Sequence, residues 1–130
     1  GEMSAHHYFR DFSYCDSGMI PWLLVLELLS QAGGKTLSDL MKERMERYPI
    51  SGEINSKVKD ADAVFEKIEE KYGKDGKVTK VDGLSVEFDK WRFNVRKSNT
   101  EPVVRLNVET RQDPALCAKK TKELLAIIRA

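Results

Sequence analysis

The chain has 130 residues, 41% of them apolar and 33% charged, with 22 Lys plus Arg against 21 Asp plus Glu and a formal net charge of +1. That length holds one domain, or one domain and part of another, and the apolar content excludes a disordered chain. The lack of a basic excess argues against nonspecific binding to nucleic acid or to a membrane surface, so any bound anion must be held by a local cluster.

Gly1 opens the chain and the first Met is Met3, so we expect a chain processed or cut from something larger. Cys15 and Cys117 lie far apart, with no Cys-x-x-Cys pair and no His/Cys metal spacing. They read as free thiols of a reducing compartment, hence a cytoplasmic location.

The first helix is expected to start at Asp16 or Ser17 as N-cap, with Pro21 in the first turn, where its missing N–H costs little. Trp22, Leu23, Leu24, Val25, Leu26, Leu28 and Leu29 cover every face of it, which predicts burial on more than one side. The apolar run from Met19 to Leu29, interrupted by Pro21 and Glu27, is too short to span a bilayer. Gly33-Gly34 ends this helix, and Thr36 or Ser38 caps a second, with Leu37, Leu40, Met41 and Met45 on one face. Tyr48-Pro49 stops it, because the residue before proline avoids the helical region. A domain boundary is expected there, dividing residues 1–48 from 49–130.

A strand is expected over Ile50 to Val58, then a helix capped by Asp60 with Ala61, Val64, Phe65, Ile68 and Tyr72 as its apolar stripe. Val78 to Val81 reads as a short strand and Asp82-Gly83 as a hairpin turn. Leu84, Val86 and Phe88, then Trp91, Phe93 and Val95, then Val104, Leu106 and Val108 alternate with polar residues. Such alternation predicts an antiparallel sheet with one packed and one wet face. Asp113 and Pro114 open the last helix, with Leu116, Cys117, Leu124, Leu125 and Ile128 inward. The fold class is therefore α+β: an antiparallel sheet with two helices on one face (TBP-like), after a helical remnant of an α/β domain.

Two segments carry candidate chemistry. Arg96-Lys97-Ser98-Asn99-Thr100-Glu101-Pro102 is long for a hairpin connection. Arg96 offers a fork of donors matching two phosphate oxygens, Ser98 and Thr100 bring hydroxyls, and Lys97 adds charge. Asn99 tolerates the left-handed region, which lets successive backbone N–H groups converge on an anion. The same residue types also serve in ordinary turns. At the N-terminus, Glu2, Ser4 and His6 share one parity, so in an extended segment a carboxylate and a hydroxyl point the same way and suit sugar hydroxyls. A frayed polar terminus is the plainer alternative there.

Glu2-Met3-Ser4-Ala5-His6 resembles the sugar-binding loop of the α-D-phosphohexomutases, and Arg96-x-Ser98-Asn99-Thr100-Glu101-Pro102 resembles their phosphate-binding loop. Their order and separation are similar to the family's third and fourth domains. The resemblance extends over the chain, including Trp22 and Gly52-Glu53-Ile54-Asn55, and Met3 favours the bacterial phosphomannomutase branch, which includes phosphomannomutase/phosphoglucomutases. It implies interconversion of hexose 6-phosphate and hexose 1-phosphate, with mannose or glucose as the sugar, through a phosphoserine and a hexose 1,6-bisphosphate intermediate. It also implies magnesium in the full-length enzyme. Arg96, Ser98, Asn99 and Thr100 carry over as ligands of the phosphate that is not transferred, Glu2 and Ser4 as contacts to sugar hydroxyls, and His6 as a sugar neighbour or proton-transfer helper.

The family's phosphoserine loop and aspartate-rich magnesium loop have no counterpart, since no Ser-His-Asn or Asp-Gly-Asp run occurs. The resemblance therefore implies a C-terminal portion, inactive alone, whose partners are a hexose phosphate and the missing N-terminal domains. Nucleic acid and membrane are not expected as partners. Residues 1–48, lacking most of the sheet they would cover, are expected to be partly disordered, repacked or engaged in self-association. The competing reading is a stand-alone sheet module binding RNA or protein, with Trp91 and Phe93 as stacking residues. Those two share the apolar parity, which favours the core instead.

Overall fold

A computed structural model describes residues 6–98 and 101–130. The chain divides into two compact units, Gly1–Glu43 and Arg44–Ala130.

In the first unit, strands β1 (Tyr8–Phe9) and β2 (Cys15–Asp16) pair antiparallel around a 3-10 turn at Arg10–Phe12. This hairpin has no counterpart among the expected elements. Its return is made by Ser13 and Tyr14, both with positive φ, where no glycine or asparagine marks a turn. Helix α1 (Met19–Gln31) follows. Ser17 Oγ accepts from Ile20 N at 3.3 Å, whereas the other expected cap, Asp16, is engaged by His6 and by His7 N. The expectation that α1 is buried on several sides is not met: no residue of it is buried, and Trp22 is 55% exposed. Apolarity on every face lets a helix be buried but does not supply what buries it.

Helix α2 (Leu37–Arg47) begins with a capping box. Thr36 N and Oγ1 donate to Asp39 Oδ2 while Asp39 N donates to Thr36 Oγ1, and the hydroxyl contact holds the Asp39 carboxyl below its ordinary pKa. From Arg47 onward the backbone is zipped to the segment from Val108 to Gln112: Gln112 N donates to Arg47 O, Thr110 N to Pro49 O and Ser51 N to Val108 O, each at 2.9 Å.

The second unit contains a five-stranded antiparallel sheet of order β3-β7-β6-β5-β4, formed by β3 (Ile54–Lys57), β4 (Lys77–Thr79), β5 (Leu84–Glu87), β6 (Trp91–Lys97) and β7 (Val103–Thr110). Two strands are shorter than expected. Gly52, at φ +69, breaks the first, leaving Ile50 with an isolated bridge to Glu109. The second stops at Thr79, and Val81 is exposed.

Helices α3 (Ala61–Tyr72) and α4 (Pro114–Ile128) cover one face of this sheet, giving the α+β architecture. Asp60 Oδ1 accepts from Asp62 N and Ala63 N, and Asp113 Oδ1 from Leu116 N, as their N-cap positions predict. The core joins Leu84, Val86, Phe93, Val95, Val104, Leu106 and Val108 of the sheet to Val64, Ile68 and Tyr72 of α3 and Cys117, Leu124 and Ile128 of α4. Phe93 lies in this core, and Trp91 stacks on Phe88 with Lys120 over its ring. Both therefore face the helices rather than offering a platform to nucleic-acid bases. No helix among the described residues is long and apolar enough to cross a membrane.

Tyr72 joins the two helices, its hydroxyl donating to Glu123 Oε2 at 3.2 Å, and burial pushes its phenol up to about 12 from an ordinary 10.0. A raised folded-state pKa stabilises the chain fully below the unfolded value and is lost as pH rises from 10.0 to about 12. The stability advantage of the wild-type chain over Tyr72→Phe should hold up to pH 10 and shrink steadily between there and pH 12, measured by urea midpoints at each pH.

Candidate functional site

The pleat sends alternate residues of β6 and β7 to opposite faces, and their register sets the open face. Arg92 lies opposite Glu109, Asn94 opposite Asn107, and Arg96 opposite Arg105. Two guanidinium groups directly opposite one another repel. Glu53, just before β3, lies between them and divides its carboxylate: Oε2 is 3.3 Å from Arg96 Nη2 and Oε1 is 3.3 Å from Arg105 Nη1. The three side chains are only 22–30% exposed, so water screens this arrangement less than a surface pair. Asp82 Oδ2 stands farther off, 3.8 Å from Arg96 Nη1.

The Asp82-Gly83 turn supports Arg96 from the other side. Asn94 Nδ2 donates to Asp82 O at 2.8 Å and to Ser85 Oγ at 2.9 Å, pinning the turn to β6. Gly83 has φ +72, and a Cβ there would lie 2.3 Å from Val95 O and 2.7 Å from Arg96 Cβ. The close approach, not only the turn, requires glycine.

Of the expected phosphate ligands, Arg96 and Ser98 stand together at the end of β6, while Asn99 and Thr100 lie outside the described residues. Arg96 belongs to the strand rather than to the loop, so the connection is residues 98–102, an ordinary hairpin length. The Ser98 N–H closes the hairpin onto Val103 O at 3.0 Å, and Ser98 Oγ accepts from Glu101 N at 3.3 Å. The Ser98 amide is therefore spent within the hairpin and does not join an anion nest. Lys97 does not add charge beside Arg96, because as its strand neighbour it faces the helices. Its Nζ is 2.5 Å from Asp62 Oδ1 and lies over the Phe65 ring. The second cation of the open face is Arg105.

Arg105 and Glu53 are the site residues that reading along the chain missed. Arg105 was visible only as a polar position of β7, and its apposition to Arg96 emerges once the hairpin register is known. No local pattern marks Glu53 as a partner of both arginines.

Glu2 and Ser4 lie outside the described residues. His6 belongs to the first unit, where its Nδ1 is 2.5 Å from Asp16 Oδ2. That contact is the main reason the Asp16 carboxyl sits below its ordinary pKa. Among the described residues no group of His, Cys, Asp or Glu is arranged to hold a metal ion. What the open face offers is a guanidinium fork held at the mouth of a hairpin, suited to an oxyanion.

The sequence matches the family model "Phosphoglucomutase/phosphomannomutase, alpha/beta/alpha domain III" over residues 1–48 and the model "Phosphoglucomutase/phosphomannomutase, C-terminal domain" over residues 53–126. A Xanthomonas campestris protein named "Phosphohexose mutases" is 55% identical over 130 residues, covering 99% of this chain and 29% of that protein. An Escherichia coli K12 phosphomannomutase is 54% identical over 129 residues, covering 98% of this chain and 28% of its own length. A crystal structure of a Burkholderia thailandensis phosphoglucomutase/phosphomannomutase family protein aligns with TM-score 0.65 and 27% identity, over 99% of this chain and 28% of that one. The chain thus spans less than a third of these relatives.

Gly83→Ala should lower stability by at least about 2 kcal/mol, since it adds positive-φ strain to a backbone clash. Thermal unfolding measures this, and the amide resonances of Val95 and Arg96 should shift in any folded fraction.

Proposed function

The chain belongs to the phosphoglucomutase/phosphomannomutase family, and from that premise we propose that it is the C-terminal portion of a phosphomannomutase. The whole enzyme interconverts mannose 6-phosphate and mannose 1-phosphate, and accepts glucose phosphates where its other domains permit. The reading rests above all on the Arg96 guanidinium, held on the open face at the mouth of the hairpin within the segment matching the family's C-terminal domain.

Phosphoryl transfer depends mainly on positioning and on stabilising charge, and a mutase must present either end of a sugar to one reacting centre. A fixed clamp for the distal phosphate satisfies that need, because it accepts the same group in both orientations. Arg96 supplies charge and the N–H donors that Glu53 does not take, with the Ser98 hydroxyl, Asn99 and Thr100 completing the clamp. Glu2 and Ser4 hold sugar hydroxyls, and His6, tethered through Asp16, stands with them as a helper.

The phosphoserine and aspartate-rich motifs are absent from the 130 residues. Nucleophile and magnesium ligands are therefore assigned to the preceding domains, as is handling of the hexose 1,6-bisphosphate, and this chain binds without turning substrate over. Those domains are the natural cover for the apolar α1, and in their absence its exposed leucines favour self-association.

Titration of the labelled chain with mannose 1-phosphate or mannose 6-phosphate, up to about 10 mM because one domain supplies few contacts, should move the amides of residues 96–100. Arg96→Ala should remove the response, since a charge-assisted fork is worth roughly ten- to a hundredfold in affinity. No shifts, or shifts scattered over the sheet, would overturn the proposal.

A further inference from the structure

Among the groups outside the clamp itself, one arrangement has a direct consequence for it. Arg105 Nη1 holds Glu53 Oε1, and Glu53 Oε2 holds Arg96 Nη2, both at 3.3 Å. Arg105, on β7, is anchored in turn by its register, opposite Arg96 on β6 and Asn55 on β3. Its Nε is buried with no hydrogen-bond partner among the described residues, so its guanidinium relies on Glu53. Asp82, the other acid near Arg96, is 77% exposed and 3.8 Å away, too loose to fix a rotamer.

We propose that Glu53 and Arg105 are positioning residues of the phosphate site, with Arg105 fixing the Glu53 carboxylate and Glu53 fixing the guanidinium of Arg96 toward a phosphate monoester. This rests on the assignment of Arg96 as the phosphate ligand. Glu53 occupies one end of the fork and leaves the remaining N–H groups of Arg96 for the ligand. One carboxylate between two guanidinium groups leaves the trio itself with one excess positive charge, which the water-screened Asp82 beside Arg96 offsets only weakly. An acid within reach of a phosphate-binding arginine is otherwise a liability, because it repels the ligand and competes for donors. The two roles of Glu53 thus predict opposite signs for its removal.

The Glu53→Gln variant separates them. Glutamine is nearly isosteric but offers one acceptor oxygen where two arginines each need one, and it turns an N–H2 toward a cation. If Glu53 positions Arg96, affinity for mannose 1-phosphate falls by roughly three- to tenfold although the site has lost a negative charge. The Arg96 Nε–Hε resonance of the ligand-free chain should shift as well. Arg105→Lys, which keeps the charge and loses the fork, should weaken binding in the same direction. It serves as the second variant if Glu53→Gln fails to fold. Wild-type binding with unchanged or tighter binding by Glu53→Gln, and an unmoved Arg96 resonance, would overturn the positioning role and leave the clamp intact. Absence of binding by the wild-type chain would overturn the clamp and this role with it.

Discussion

The antiparallel register between β6 and β7 is the constraint on which the second unit depends. It pairs Val95 with Leu106 and Phe93 with Val108 on one face, and Arg96 with Arg105 on the other. A slip of one residue would send the valines to water and the arginines into the core. The apolar face is sealed by α3 and α4, and its burial fixes the register far more strongly than any polar contact. The site follows from it: two like charges are forced together on the open face, and Glu53 makes that tolerable.

The helices take their places by local chemistry, and the site inherits the result. Asp60 and Asp113 cap α3 and α4 with hydrogen bonds to the first-turn amides. Tyr72 then ties the two helices through Glu123. Lys97 joins this helix side by pairing with Asp62, which keeps its charge away from the open face. The proposed anion site therefore relies on a few oriented donors rather than on a general positive field, in keeping with a net charge of +1.

The strands and caps were legible because they obey short-range rules. Alternation over Leu84–Val108 places every buried apolar strand residue, though not the buried Ser56 and Thr110, and each N-cap aspartate precedes an apolar stripe. The β1–β2 hairpin was not legible, because Ser13 and Tyr14 turn the chain without the usual turn residues. The exposure of α1 is not legible either, because burial depends on neighbours that the composition of one helix does not reveal. At the site, Arg96 and Ser98 stood out by residue type. Lys97 is a companion of Arg96 only if the segment is loop, whereas β6 runs through Lys97 and sends the two to opposite faces. Arg105 and Glu53 join Arg96 only across strands, at separations where single-sequence patterns carry no information.

The claim at the centre of this account is that the face of the sheet opposite the helices, at Arg96, is a phosphate clamp. A crystal structure of the 130-residue chain soaked with mannose 1-phosphate tests it most directly. The account predicts the phosphate on the guanidinium of Arg96 at the mouth of the residue 98–102 hairpin, with Glu53 still bridging Arg96 and Arg105. A phosphate bound elsewhere on the sheet, or an Arg96 turned away from a phosphate bound at that hairpin, would contradict it.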